Sequence, residues 1–263
     1  MKFSAPALQF LEGSKDMNNA EVQIVSTIGL NPQTEPLRLE DLENKIINAD
    51  CMDILRRLPD KCVDLVLTDP PYYNGLEMTT YYGKKDKSNT GVKRTKYKPF
   101  AEKWFVPDND WFEQIRRISK EQIIFGINYY EFAGSVKGRL IWDKMNDTSS
   151  FSKAEIASCS SIQSVQIYRF LWNGMLQQDM KNKEVRIHLT QKPVDLIGQI
   201  LRDYSKENDL VLDCFSGSGT TAIACHRLNR RFIYIEKDKE YFDMSVKRLE
   251  DERKQLSLFG GNA

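Results

Sequence analysis

The chain lacks most of what marks a membrane, secreted or metal-dependent protein. No apolar run approaches the roughly 18 residues of a membrane helix, and the opening Met1-Lys2-Phe3-Ser4-Ala5-Pro6 is broken by Pro6 and Gln9 before a signal-peptide core forms. Histidine is scarce: the 263 residues hold two, His188 and His226, far apart. The five cysteines, Cys51, Cys62, Cys159, Cys214 and Cys225, form no Cys-x-x-Cys pair. A zinc site or disulfide framework is therefore not expected, and Cys214 and Cys225, beside apolar residues, read as packing thiols. Net charge is almost absent too. Lys plus Arg number 38 against 37 Asp plus Glu, leaving +1, which for the whole chain argues against a polyanionic partner. A soluble, cytoplasmic protein is expected.

What is present fits one large or two small globular domains: 41% hydrophobic, 29% charged and 11% aromatic residues support a sizeable core. Residues 1–44 carry weak periodicity and turn formers, Asn31-Pro32 and Glu35-Pro36, and read as an extension without an assigned role. From Lys45 short apolar runs alternate with amphipathic stretches, the signature of a parallel sheet with crossover helices. Strands are expected at 45–49, 63–68, 122–127, 139–142, 165–171, 210–214 and 232–235, and helices at 52–58, 110–119, 193–204, 220–228 and 239–254. Pro193 suits a first helical turn, with Thr190 or Gln191 near the cap. The fold class is α/β, a mostly parallel sheet with helices on both faces.

Two stretches break the alternation. Within a polar insertion at 73–105, residues 84–103 hold eight bases against two acids, a net of +6, so the rest of the chain carries −5. Charge is segregated rather than missing. The second stretch, about 146–186, is rich in Ser, Gln and Asn and contains Arg169, Lys181, Lys183 and Arg186.

Between the strand at 210–214 and the helix at 220–228 lies Asp213-Cys214-Phe215-Ser216-Gly217-Ser218-Gly219-Thr220-Thr221-Ala222, a Gly-x-Gly-x-x-Ala turn whose small residues let backbone amides approach a cofactor. The next strand ends in Glu236, an acid placed to accept hydrogen bonds from both hydroxyls of a ribose. Turn and acid together point to a nucleoside cofactor, and fit NAD nearly as well as S-adenosylmethionine.

The discriminating feature is Thr68-Asp69-Pro70-Pro71-Tyr72 at the end of the apolar strand 63–68. Prolines carry no amide proton and fix φ, so the Pro70 carbonyl is left as a rigid acceptor beside the Asp69 carboxylate. Two adjacent acceptors suit an NH2 group. The exocyclic amine of a base is a poor nucleophile because its lone pair is delocalised. Hydrogen bonds from both its protons favour a more tetrahedral nitrogen with the lone pair aimed at an electrophile. Tyr72 is placed to stack on the base, which must first leave its duplex.

With these motifs in this order the sequence resembles the amino-methyltransferases that act on DNA bases, over roughly residues 45 to 250. The Asp-Pro-Pro-Tyr turn preceding Phe215-Ser216-Gly217-Ser218-Gly219 is similar to the circularly permuted beta class of bacterial and phage enzymes. His188-Leu189-Thr190-Gln191-Lys192-Pro193 resembles the family motif at the methionine end of the cofactor, with Leu189 in place of the usual proline. Asn48-Ala49-Asp50-Cys51 resembles the motif whose acid contacts the cofactor adenine, with Ala49 where glycine is common. Phe125-Gly126 and Ile141-Trp142-Asp143-Lys144 match family strand ends.

The resemblance implies a Rossmann-like methyltransferase fold, S-adenosylmethionine as methyl donor, no metal, and double-stranded DNA as partner. It implies catalytic roles for Asp69, Pro70, Pro71 and Tyr72. Cofactor contacts are implied for Asp50, Cys51, Asp69, Thr190, Lys192, Pro193, Asp213, Phe215, Ser216, Gly217, Ser218, Gly219, Thr220, Thr221 and Glu236. Asp rather than Ser at 69 leans toward adenine N6 over cytosine N4. By analogy 146–187 is the target-recognition segment, with Arg169, Lys181 and Lys183 on DNA. By the same analogy the basic insertion is expected to be a mobile loop that holds phosphate through Lys84, Lys85, Lys93, Arg94, Lys96 and Lys98.

The C-terminal residues 251–263 read as a tail in which Gln255-Leu256-Ser257-Leu258-Phe259 is similar to peptides that dock on the bacterial sliding clamp, or else folds back on its own domain. A restriction-modification role is expected, and a dimer is one option for the oligomeric state. The competing readings are a cytosine-N4 enzyme, a nicotinamide oxidoreductase using Gly217, Gly219 and Glu236, and a non-catalytic DNA- or clamp-binding adaptor.

Overall fold

In chain order the strands are β1 (Ile24–Val25), β2 (Lys45–Asn48), β3 (Val63–Thr68), β4 (Ser119–Phe125), β5 (Gly138–Asp143), β6 (Ala154–Cys159), β7 (Val165–Arg169), β8 (Trp172–Asn173), β9 (Leu176–Gln177), β10 (Leu210–Asp213) and β11 (Arg231–Glu236). The α-helices are α1 (Cys51–Leu55), α2 (Asn109–Ile118), α3 (Val194–Tyr204), α4 (Thr220–Arg227) and α5 (Lys239–Phe259). The structure is a computed structural model and describes residues 24–25, 37–72, 106–131, 135–147, 152–173, 176–188 and 190–259. The basic insertion, with Lys84, Lys85, Lys93, Arg94, Lys96 and Lys98, lies outside the described residues, as do Leu189 and most of the N-terminal extension. Among the described residues no helix is long and apolar enough to cross a membrane.

Nine strands form one sheet in the order β1-β2-β11-β10-β3-β4-β6-β5-β7, and β8 and β9 pair separately. All neighbours from β1 to β4 are parallel. The central strands alternate between two buried apolar sets. Leu65, Leu67, Val211, Phe232 and Tyr234 pack with Leu196, Ile200, Ala222, Ile223 and Phe242 from α3, α4 and α5. Val66, Leu212, Ile233 and Ile235 pack with Ile54, Leu55, Trp111, Phe112 and Ile115 from α1 and α2. With both faces covered, these strands read in sequence as continuous apolar runs. Each fully buried large side chain contributes about 1.5–3 kcal/mol relative to exposure.

β3 and β10 are hydrogen-bonded neighbours, with Leu65 opposite Val211 and Val66 opposite Leu212. From β3 the sheet continues through β4, and from β10 it continues the other way through β11. The loops leaving their carboxyl ends therefore diverge, opening the crevice where open α/β sheets bind ligands.

Three expectations are corrected. β6, six residues inside the stretch read as the target-recognition segment, is a sheet strand antiparallel to both β4 and β5. Its sequence Ala154-Glu155-Ile156-Ala157-Ser158-Cys159 has a single large apolar residue and so no legible period. Pro193 is the N-cap of α3 rather than a residue of its first turn, with extended backbone (φ −63°, ψ 137°). The cap acceptor is neither Thr190 nor Gln191: the Val194 amide donates to Glu184 Oε1 at 2.8 Å. Finally, α5 continues to Phe259, so Gln255–Phe259 belongs to a helix rather than a separate tail.

Candidate active site

The two motif-bearing turns meet at the crevice. Asp69, Pro70, Pro71 and Tyr72 leave the end of β3, and the glycine turn leaves the end of β10. A buried carboxylate joins the two strand ends: Asp213 accepts from Thr68 Oγ1 (2.7 Å), from Thr221 Oγ1 (2.7 Å) and from the Phe215 amide (3.2 Å). Burial pushes its carboxyl up to about 6, against the pull of those donors. Asp213 is thus committed to holding the turns together.

The Asp69 carboxylate is not free. Its Oδ2 accepts from Lys192 Nζ at 2.5 Å, and the same ammonium lies 2.9 Å from Glu155 Oε2 and 4.4 Å from the centroid of the Phe125 ring. Glu155 in turn pairs with Lys144 at 2.6 Å. Two carboxylates and two ammoniums thus form a neutral chain of largely buried charges, the arrangement that makes such burial tolerable. Burial opposes ionisation of Glu155, but Lys192 and Lys144 prevail and hold it down at about 2. Burial likewise works against the charge on Lys192, and its two carboxylates raise it above the ordinary ammonium value. Asp69 is pushed up by burial, with Lys192 pulling it back. Lys192, for which the resemblance implies a cofactor contact, has its ammonium on Asp69 in this structure. Its carbonyl still accepts from Thr220 Oγ1 at 3.1 Å, which ties this segment to the glycine turn.

The turn after β4 supports the Asp-Pro-Pro-Tyr turn. Gly126 is left-handed (φ +66°), and a Cβ there would lie 2.6 Å from Tyr72 Cδ1, so only glycine lets the ring close down. Tyr129, 49% exposed, stacks on Tyr72 with ring centroids 4.2 Å apart and planes 7° from parallel. The Tyr130 hydroxyl donates to the Pro71 carbonyl at 2.8 Å and lies 3.3 Å from the Pro70 carbonyl.

In the glycine turn Gly217 (φ +49°) and Gly219 (φ +81°) are both left-handed, and the Gly217 amide donates to Glu236 Oε2 at 2.7 Å. Glu236 Oε1 accepts from the Asp238 amide at 2.8 Å, and burial pushes the carboxyl up to about 7. Among the described residues Ser216 Oγ is buried without a hydrogen-bond partner. The His188 ring lies against Gly217, where an added Cβ would meet it at 3.4 Å. Tyr241 packs on the ring edge-on at 4.4 Å. Burial and the neighbouring Lys192 push His188 down to about 4, so it is neutral, and its Nδ1 accepts from the Thr190 amide at 3.3 Å. Asp50 caps α1 by accepting from the Met52 amide (3.0 Å) and pairs with Lys237 (3.0 Å). The Cys51 thiol is buried and pushed up to about 12.

The structure therefore gathers residues 188, 190–193, 213–221 and 236 around one crevice with Asp69–Tyr72, with Asp50 beyond the neighbouring β2. Arg169, Lys181 and Lys183 are exposed and outside this cluster; Arg169 lies 3.6 Å from Asp143. Sequence reasoning missed Glu155, Tyr129 and Tyr130 and gave Lys144 no role. The aromatic pair Tyr129-Tyr130, which follows Phe125-Gly126 after two intervening residues, was the available signal for the tyrosines, whereas Glu155 carried none.

A family profile described as DNA methylase matches residues 140–247. The chain is similar to the Type II methyltransferase M.HinfI of Haemophilus influenzae, 27% identical over 262 residues covering 81% of this chain and 70% of that protein. It is also similar to the Type II methyltransferase M2.MboI of Moraxella bovis, 25% identical over 251 residues covering 80% and 88% respectively. Among solved structures it is similar to the M1.HpyAVI–SAM complex, with 24% identity, 77% and 98% coverage and a TM-score of 0.47. It is likewise similar to the cytosine-N4-specific PvuII DNA methyltransferase, with 15% identity, 80% and 91% coverage and a TM-score of 0.49.

Proposed function

We propose that this chain is a site-specific, beta-class enzyme that transfers a methyl group from S-adenosylmethionine to the N6 amino group of a flipped-out adenine in double-stranded DNA. At the coarser level it is an S-adenosylmethionine-dependent DNA methyltransferase, as the match to the DNA methylase profile and the two Type II relatives indicates. The observation that carries the finer reading is Asp69, ion-paired at the end of β3 beside the Pro70 carbonyl and across the crevice from the glycine turn.

The glycine turn fits the cofactor. Among the described residues Ser216 offers a buried hydroxyl without a partner, the two left-handed glycines put no side chain between the turn's backbone and a ligand, and Glu236 supplies a carboxylate for ribose hydroxyls. S-adenosylmethionine, when bound, supplies a methyl group on an electrophilic sulfonium. The chain's residues prepare the amine that receives it. Lys192 engages Asp69 Oδ2, which assigns Oδ1 to one proton of the target amine and the Pro70 carbonyl to the other. Fixed acceptors that draw both protons concentrate electron density on the nitrogen without reorganising during the reaction. Tyr72 supplies the ring face for the extruded base.

Exposed Arg169, Lys181 and Lys183 and the basic insertion are assigned to DNA, and about 146–187, within which β6 belongs to the sheet, to target recognition. Gln255, Leu256, Ser257, Leu258 and Phe259 are assigned to a bacterial sliding clamp; undiminished clamp pull-down by a chain lacking 255–263 would remove that assignment.

The test is incubation with labelled S-adenosylmethionine and unmethylated bacterial DNA, followed by digestion to nucleosides and mass spectrometry. N6-methyladenine is expected, with Asp69→Ala abolishing transfer while cofactor binding survives. N4-methylcytosine would replace the adenine reading, and no label on any DNA would sink the enzyme.

A further inference from the structure

We propose that Tyr130 is a positioning residue for the amine-accepting turn, acting through the carbonyls of Pro70 and Pro71; this rests on the function proposed above. Neither proline has an amide proton, so the turn cannot hold its two carbonyls by donating from within them. They are held from outside. The Tyr130 hydroxyl donates to the Pro71 oxygen at 2.8 Å and sits 3.3 Å from the Pro70 oxygen. A carbonyl oxygen has two lone pairs, so Pro70 can receive the target amine on one side while Tyr130 sets its direction from the other.

Tyr130 is itself well fixed. Its ring packs edge-on against Phe112 of α2 at 5.3 Å. Its amide donates to the Ile127 carbonyl at 3.2 Å, closing the short turn that Gly126 begins. The same turn carries Tyr129, whose ring lies on Tyr72. One turn therefore sets both parts of the base site, the acceptor carbonyls and the stacking ring. Burial and the nearby Asp69 charge keep the Tyr130 hydroxyl protonated, so it stays a donor throughout the working pH range.

The experiment compares wild type with Tyr130→Phe, which removes one oxygen and keeps the ring against Phe112. Single-turnover methyl transfer to DNA is expected to fall roughly tenfold or more, because small misplacements of an acceptor are costly in rate. The Kd for S-adenosylmethionine and the KM for DNA are expected to stay within about twofold, marking a loss confined to the reacting complex. A crystal structure of the variant is expected to show the Pro70 and Pro71 carbonyls displaced. A transfer rate within about twofold of wild type overturns the proposal. So does an unmoved turn, or a loss of cofactor affinity equal to the loss of rate. An unlabelled product with wild type itself would instead condemn the functional reading, and the wild-type lane alone tells the two failures apart.

Discussion

Lys192 makes two buried ion pairs at once, to Asp69 and to Glu155, and removing it would leave both carboxylates facing each other with Lys144 as the remaining cation of the chain. Lys192→Met is expected to cost about 3–5 kcal/mol, as when one partner of a buried pair is deleted, and to abolish methyl transfer. Urea denaturation measures the first; a loss below about 1 kcal/mol would place the pair among weak surface bridges. Glu236 carries a pH signature. Folded, it titrates near 7 instead of 4.5, so between those values the native state keeps a proton that the unfolded chain releases. Its contribution to stability is therefore present at the acid end and falls as pH rises through that window. A ribose hydroxyl donating to it favours the ionised form. Cofactor affinity is expected to rise between about pH 6 and pH 8 and then level off, while Glu236→Gln binds more weakly with a flat profile. Calorimetric titration across that range checks this, and a pH-independent wild-type Kd would refute it.

Among the elements, the long apolar strands were readable because both their faces are buried. β3 lies where its apolar run placed it, and β10 and β11 differ only at their ends. β6 was invisible because six residues with one large apolar side chain carry no period, and its place between β4 and β5 is decided by antiparallel pairing with residues distant in sequence. The start of α3 shows the same limit. Its cap comes from Glu184, ten positions upstream, whose other oxygen pairs with Arg248 of α5 at 2.7 Å. Arg248 also donates to the Ser218 carbonyl at 2.9 Å, so one carboxylate couples a helix start, a second helix and the glycine turn. Glu184→Ala is expected to cost about 2–3 kcal/mol, from the missing cap together with a stranded cation. Glu184→Gln, which can still accept from Val194, is expected to recover part of it. Thermal unfolding of the two variants distinguishes a shared anchor from a surface side chain.

Across the whole molecule, a net charge of +1 conceals a +6 segment at 84–103 and a −5 remainder. Neutralising Lys84, Lys85, Lys93, Arg94 and Lys96 is expected to weaken DNA binding and to flatten its salt dependence, by about 0.9 in log–log slope for each phosphate left without its cation, while cofactor affinity is unchanged. An unaltered slope in fluorescence anisotropy would remove this segment from the DNA-binding residues. Local composition and spacing were enough to establish the α/β class, the two turns and the chemistry that a carboxylate, a proline carbonyl and a tyrosine can offer, because each of these is a property of a short stretch of chain. What those groups touch was settled in three dimensions. The packing of β3 beside β10 lets two turns 145 residues apart share the Thr68–Asp213 bond. It also set Lys192 on Asp69, while the pairing of β4 on the other side of β3 brought Tyr130 to the proline carbonyls. Such pairings depend on strand order and register, which no local stretch of chain encodes.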